Sequence, residues 1–143
     1  MRPLGSAAIL ALLAVLPIAC RPAIDGSGAA SVRVSPGVTY SLEDGERYHR
    51  EAPDTFEIPS LAAREALERG QIVKLMFNIS AGTDSQVERM WVIVEGKDTE
   101  GYLGVLDNQP AATDEIRPGM KVRFQPRHVI NIHPRRAGDA PPG

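Results

Sequence analysis

The sequence contains a single cysteine in 143 residues. One cysteine excludes a disulfide framework and any metal site built from several cysteines. There is also no charge excess, since 16 Lys and Arg face 18 Asp and Glu, and a strong non-specific nucleic-acid binder needs a clear basic excess. Aromatic residues are few, with one Trp, three Tyr and three Phe. These counts indicate one small domain with a modest core, and they exclude nucleic acid as the partner.

Long apolar runs are missing except near the N-terminus, where Ala7 to Leu16 follows a single charge at Arg2. Extended to Ala19, this segment has about 13 residues, which is too short for a stable transmembrane helix, and its position is typical of a secretory signal. We therefore predict that residues 1–19 are a signal peptide and that the protein is exported.

Cys20 closes this segment. The run Leu16-Pro17-Ile18-Ala19-Cys20 resembles the bacterial lipobox, whose cysteine is acylated and becomes the mature N-terminus, although Pro17 stands where a leucine is usual. The alternative is a plain signal cleaved near Ala30, which leaves a soluble periplasmic or secreted protein. We predict lipidation of Cys20. By the same resemblance, Arg21 in place of an acidic residue implies the periplasmic face of the outer membrane.

Residues 20–54 are acidic and contain scattered Gly, Ser and Pro. This composition predicts a flexible linker, with at most a short extended segment at Ser31 to Tyr40. We interpret the acidic cluster Glu43 to Glu46, with nearby His49, as a solvated loop rather than a cation site. The tail, residues 133–143, is predicted to be disordered.

The segment 55–132 carries the regular patterns of a folded domain. Ser60 fits a helix start and Gly70 a helix stop, which predicts one short helix. Alternating apolar residues then predict strands at Ile72–Ile79 and Val87–Glu95. Strands at 102–106, 121–124 and 129–132 complete the set. We expect an α+β fold with a mainly antiparallel sheet of about five strands, either open or rolled into an SH3-like barrel.

A weak internal repeat supports this interpretation. The segment Leu67–Leu75 matches Ile116–Phe124 in its apolar residue, its glycine and its Val-basic-apolar ending. Each copy is interpreted as a glycine turn that launches a strand, pinned by the apolar residue before it.

Four motifs occur together in the domain: Thr55-Phe56-Glu57-Ile58-Pro59, Glu88-Arg89-Met90-Trp91-Val92, Gly104–Pro110 and His128-Val129-Ile130. In this order they resemble the bacterial YegJ-like domain-of-unknown-function family. The resemblance implies a small exported protein or lipoprotein of bacteria without an assigned catalytic activity. Related strand patterns include toxin-immunity domains.

Candidate functional residues are concentrated on the second and third predicted strands. A rigid aromatic beside arginine and amide groups is the composition of a binding hot spot, and we expect Trp91 and Tyr102 to stand near one another. The alternative is that Trp91 packs under the helix and that the neighbouring polar residues are ordinary surface and turn residues. The candidate binding residues are Glu88, Arg89, Trp91, Tyr102, Asp107 and Asn108.

No constellation of reactive groups predicts an enzyme, because Cys20 lies in the signal or under the lipid, and His128 and His133 fall on opposite faces of one strand. We predict no metal site and no cofactor. The sequence thus favours a non-enzymatic envelope lipoprotein that binds a protein or peptide partner, in a structural role or as an immunity-like inhibitor. The alternative is an envelope small-ligand sensor or hydrolase-like enzyme with a cleft near Trp91 and Asp107.

Overall fold

The computed structural model describes residues 30–134. The predicted signal peptide, Cys20 and the tail beyond residue 134 lie outside the described residues. In chain order the strands are β1 (Val32–Ser35), β2 (Val38–Leu42), β3 (Ile72–Ala81), β4 (Asp84–Asp98), β5 (Gly101–Leu106), β6 (Lys121–Phe124) and β7 (Val129–Ile132). The helices are α1 (Gly45–Glu51) and α2 (Leu61–Glu65), and a 3₁₀ turn spans Pro126–His128.

The seven strands form one sheet. Six of them lie in the order β1-β2-β3-β4-β5-β6, β7 pairs with β3, and every pairing is antiparallel. One edge of β3 is shared, because β7 pairs with its residues 73–75 and β2 with its residues 77–81. The central strand β4 is 15 residues long and is bulged between Val94 and Gly96. A bulge increases the local twist, and the sheet curls into a half-barrel whose edges are β1 and β6.

The inner face of this half-barrel holds the core. Alternation along β3 buries Val73, Leu75, Phe77 and Ile79, as the period-two pattern predicted. β4 adds Met90, Val92 and Val94. The other strands and the loops before β3 and after β5 supply the rest: Val38, Tyr40, Leu42, Leu67, Tyr102, Leu106, Ile116, Val122, Phe124 and Val129.

The mainly antiparallel sheet is confirmed, and the predicted strands correspond to β3 to β7, but the sheet has seven strands rather than about five. Their bounds agree most closely for β6 and β7, whereas β3 and β4 extend further towards one another than the pattern indicated. Residues 80–85 were predicted to be a polar loop, but Gly82 and Thr83 form a two-residue turn between two paired strands. The left-handed φ of +63° at Gly82 explains how so tight a turn is made.

The prediction of a linker over residues 20–54 is wrong where the structure describes it. β1, β2 and α1 lie within it, and Val38, Tyr40 and Leu42 are buried in the core. Within the described part of this segment, a tight connection rather than a tether accounts for one glycine. Pro36 and Gly37 join β1 to β2, and Gly37 has a φ of +81°. The folded domain therefore begins before residue 55.

The acidic cluster Glu43 to Glu46 is a helix start rather than a solvated loop. The Asp44 side chain accepts the Arg47 N–H at 3.0 Å and caps α1. Glu43 accepts from the side chains of Asn78, on β3, and Arg47. Each carboxylate of the cluster thus has a structural partner within the chain.

α2 is the predicted helix, begun by Ser60, whose Oγ accepts the Ala63 N–H at 3.2 Å. The residue it buries is Arg64, which is only 4% exposed. Arg64 donates to Glu46 at 2.7 Å and to the Pro126 carbonyl oxygen at 2.8 Å. A buried charge is tolerated when it is paired and hydrogen-bonded, so Arg64 ties α2 to α1 and to the 3₁₀ turn.

Both glycine turns of the internal repeat are present. Gly70 and Gly119 have φ of +86° and +89°. Their N–H groups donate to Val94 and Leu106 respectively, each at 2.8 Å. The two turns therefore anchor β3 and β6 to the neighbouring strands in the same way.

Candidate functional site

The outer face of the sheet, opposite the core, carries the tryptophan singled out in the sequence. Trp91 on β4 lies directly across from Lys74 on β3. Trp91 is half-buried and is not among the buried core residues. We call this surface the Trp91 face and define it by five residues: Phe56, Lys74, Arg89, Trp91 and His133.

The Trp91 ring is held by polar neighbours. The Lys74 ammonium lies 4.2 Å from the ring centroid, a cation–π contact. The His133 ring meets it edge-on at 5.8 Å and 75°. An indole fixed between a cation and a second ring loses little side-chain entropy when a partner docks.

Asp107 and Asn108 fix the backbone of Trp91. The Asn108 Oδ1 accepts the Trp91 N–H at 2.7 Å, and the Asp107 N–H donates to the Trp91 carbonyl oxygen at 2.9 Å. These hydrogen bonds extend the pairing of β4 with β5 beyond Leu106, the last residue of β5. The structure thus gives both residues a positioning role beside Trp91.

Glu88 anchors the loop that follows. Its carboxylate accepts the N–H groups of Ala111 at 2.8 Å and Ala112 at 2.6 Å, and the Gln86 side chain at 2.7 Å. Burial opposes ionisation of Glu88, but the hydrogen bonds from Ala111, Gln86 and Ala112 outweigh it and lower its pKa. Glu88 is therefore occupied in holding the loop.

Arg89 borders a small cleft next to Trp91. Its guanidinium lies 5.7 Å from the Phe56 ring centroid, and Phe56 packs against Tyr48 with centroids 5.5 Å apart. The cleft has a volume of about 170 Å³ and is also lined by Lys74 and Ile130. This volume suits one side chain better than a whole small-molecule ligand, which occupies roughly 300–1,000 Å³.

Tyr102 does not join this surface, so the expectation that it stands near Trp91 is wrong. Tyr102 pairs in register with Lys97 and is fully buried on the inner face. Its hydroxyl donates to the Glu65 carbonyl oxygen at 2.6 Å and accepts the Leu67 N–H at 3.2 Å. The reason is the side-chain alternation of strands, which places residues 91 and 102 on opposite faces.

The histidines are dispersed. His49 Nδ1 is hydrogen-bonded to the Phe56 carbonyl oxygen at 2.7 Å. Burial, together with the Arg127 charge, lowers the pKa of His128 to about 4. Among residues 30–134, no three His, Cys, Asp or Glu residues lie close enough to hold a metal ion. In the same part of the chain no helix is long and apolar enough to cross a bilayer.

Of the six candidate residues, the structure brings Trp91, Asp107, Asn108 and Arg89 together, sets Glu88 beside them as a loop anchor, and places Tyr102 in the core. Sequence reasoning missed Lys74 and His133 as partners of Trp91, and Phe56 as a partner of Arg89. Lys74 could have been identified from the turn at Gly82 and Thr83. A two-residue turn at these positions fixes the pairing register of β3 and β4, and that register places residue 74 opposite residue 91.

Comparisons of the chain with protein-family models, with curated proteins and with solved structures find no match. The resemblance to the YegJ-like family therefore stays a prediction.

Proposed function

We propose that the protein is an exported lipoprotein whose domain binds a protein or peptide partner through the Trp91 face. The observation that carries this proposal is the half-buried Trp91 ring, held between Lys74 and His133. Tryptophan and arginine are enriched among the residues that dominate binding energy. A partner docking here buries the indole and places one side chain in the adjoining cleft.

Charge supports a partner with acidic or carbonyl groups, because two cations line the cleft against one carboxylate, Glu57. Lys74 and Arg89 have no carboxylate partner among residues 30–134. Desolvated arginine and lysine bind carboxylates and backbone carbonyl oxygens well. The alternative function, a small-ligand sensor or hydrolase-like enzyme with a cleft near Trp91 and Asp107, is less well supported because the cleft holds about 170 Å³.

The fold is of a kind that suits binding. We propose that β3 to β7 form an SH3-like barrel, since four consecutive antiparallel strands are followed by a 3₁₀ turn and a last strand that returns to the first. β1 and β2 extend this unit. SH3-like barrels are scaffolds whose surfaces serve many unrelated functions in different proteins.

The binding test places a photoactivatable amino acid at Val87, which is on the outer face and 48% exposed. Cross-linking in intact cells is expected to give a discrete adduct. Leu61 on α2, 50% exposed, is the matched control position and is expected to give none. Trp91→Ala, in the chain labelled at Val87, is expected to reduce the adduct roughly tenfold. An undiminished adduct in a variant with wild-type circular dichroism contradicts the proposal.

The envelope location has a separate test. We propose that Cys20 is acylated and holds the domain at the periplasmic face of the outer membrane. Mass spectrometry of the N-terminus from membranes is expected to show a lipid-modified Cys20 and its loss in Cys20→Ser. An unmodified chain that begins near Ala30 overturns lipidation and indicates a soluble periplasmic or secreted protein.

The immunity-like role is one form of the proposed binding function. In that role the domain protects its host by capturing a toxin, so cells that lack the gene and its neighbours are expected to lose in competition with the parent strain. Equal fitness in that competition contradicts immunity and leaves a structural binding role.

A further inference from the structure

The half-barrel has an open seam between its two edge strands, β1 and β6. Within residues 30–134, β1 pairs only with β2, and β6 pairs only with β5. A strand with one unpaired edge presents free N–H and C=O groups that can pair with another strand. The seam is thus the place where one more strand would continue the sheet.

The hydrogen-bond alternation identifies which backbone groups face the seam. The Leu106 N–H donates to the Met120 carbonyl oxygen. Because the bonding direction alternates along a strand, the backbone groups of residues 122 and 124 also bond to β5. The backbone N–H and C=O groups of Lys121 and Arg123 therefore point away from β5, into the seam. On the opposite side Val32 is paired with Tyr40 and bonds to β2, which leaves the backbone of Arg33 pointing outward.

A groove runs along this seam. One part, of about 450 Å³, lies between Val32 to Val34 of β1 and the start of β6 at Lys121, with Met120 just before it. The next part, of about 480 Å³, lies between Val32 and Phe124. Both parts share Val32 and Tyr40. The groove therefore has an apolar floor and is open along both strand edges.

The rim of the groove carries more cations than carboxylates, since its acidic residues are Glu115 and Glu100 and the latter pairs with Arg123. Arg33, Arg117 and Arg127 line it and have no carboxylate partner among the described residues. Lys121 and Arg123 line it as well, and their ion pairs with Glu95 and Asp98 are exposed. Exposed pairs are weak and can be exchanged for others at little cost.

We propose that this seam binds an extended acidic peptide segment of a partner as an additional β-strand. The edge backbone groups of β1 and β6 supply strand pairing, as in other cases of β-strand addition. Because side chains alternate along a strand, apolar residues of the segment face the floor at Tyr40 while acidic residues face the rim. The seam is separate from the Trp91 face, and its function does not depend on that proposal.

The test uses the purified full chain and a fluorescent peptide of four Val-Glu repeats with blocked termini. The peptide is expected to bind, and binding is expected to weaken with added salt. The same peptide with Lys in place of Glu is expected to bind roughly tenfold less tightly or worse. N-methylation at every valine, which removes backbone donors and keeps the charge, is expected to abolish binding.

Charge reversal on the protein completes the test. Arg33→Glu with Arg123→Glu is expected to weaken the Val-Glu peptide roughly tenfold or more and to favour the lysine peptide. Arg69→Glu, an exposed residue outside the groove, is the matched control and is expected to change neither. Trp91→Ala is expected to leave the peptide affinity unchanged, which separates this proposal from the proposed function.

Three results overturn the proposal. The first is no binding, or binding that N-methylation leaves intact. The second is a dimer in sedimentation that Arg33→Glu dissociates, which assigns the seam to a second copy of the chain. The third is peptide binding seen only when residues 21–29 are deleted, which assigns the seam to the chain's own preceding segment.

Discussion

His128 makes the stability of the domain depend on pH. The ring is half-buried at the end of the 3₁₀ turn, where Nδ1 accepts the Gln125 N–H at 3.0 Å. Burial first, and then the charge of Arg127, lowers the pKa of His128 from 6.5 to about 4, against a smaller opposing effect of Asp44 and Glu46. The folded state therefore holds the neutral ring, and protonation opposes folding.

The sign of the effect follows from proton linkage. Between pH 6.5 and about 4 the unfolded chain binds a proton at His128 that the folded chain does not, so stability falls as pH falls through this range. The complete shift corresponds to about 3 kcal/mol, at 1.36 kcal/mol for each pH unit. Since part of the ring remains exposed to solvent, we expect a loss of about 1–2 kcal/mol between pH 7 and pH 5.

Urea unfolding measures this loss, because the single tryptophan gives a fluorescence signal for folding. His128→Asn keeps an acceptor near the position of Nδ1 but does not titrate. We expect its unfolding free energy to fall less than that of the wild type between pH 7 and pH 5, by about 1–2 kcal/mol. His133→Asn, a change at an exposed histidine, is the control and is expected to follow the wild type. Parallel profiles for wild type and His128→Asn refute the reasoning.

Two further changes test the packing that positions the candidate sites. Glu88→Gln removes the charge that holds the loop after β5, so we expect a loss of about 1–2 kcal/mol in urea unfolding and faster amide exchange at Ala111 and Ala112; unchanged exchange at both amides counts against the anchor. Gly104→Ala places a Cβ 2.7 Å from the Ile93 carbonyl oxygen, so we expect about 2–4 kcal/mol of destabilisation. Gly96→Ala, whose Cβ meets nothing within 4 Å, is the matched control, and equal losses in the two variants contradict this account.

The sequence predicted the elements that rest on local patterns. The period-two alternation of β3 and β4 is a strong signal because every second residue from Val73 to Ile79 and from Met90 to Val94 is apolar. The turns at Gly70 and Gly119 were predictable from the repeat, since each requires a left-handed φ that glycine adopts at no steric cost. Ser60 likewise marked the start of α2.

The sequence did not predict what depends on distant contacts. β1 and β2 are four and five residues long, and their polar neighbours resemble a linker until Tyr40 is placed against Phe77, with ring centroids 5.3 Å apart. Arg64 is of a residue type that is usually exposed. Its burial is explained only by the approach of α1 and the 3₁₀ turn, which supply its hydrogen-bond acceptors. Tyr102 and Trp91 were expected to lie near one another because their strands were expected to pair. Side chains alternate between the two faces of a sheet, and these two residues lie on opposite faces.

The candidate site was predicted in part for a related reason. Trp91 was identifiable because it is the single tryptophan and lies on the second face of a central strand. Predicting Lys74 as a neighbour of Trp91 requires the exact pairing register of β3 with β4. His133 follows β7, and it reaches the Trp91 face only because β7 pairs with β3. A site built from three strands and two loops is not visible as a spacing along the chain.

The near-zero net charge of the sequence conceals how the charges are used. Glu43, Glu46 and Glu88 are bound within the fold to side chains or backbone N–H groups. Lys74 and Arg89 have no carboxylate partner among residues 30–134, and the same holds for three arginines of the seam: Arg33, Arg117 and Arg127. In the seam and in the cleft of the Trp91 face, cations therefore outnumber carboxylates, although the chain as a whole has a net charge of −2. Because electrostatic complementarity selects partners and speeds their encounter, both candidate surfaces favour an acidic protein segment over a basic one.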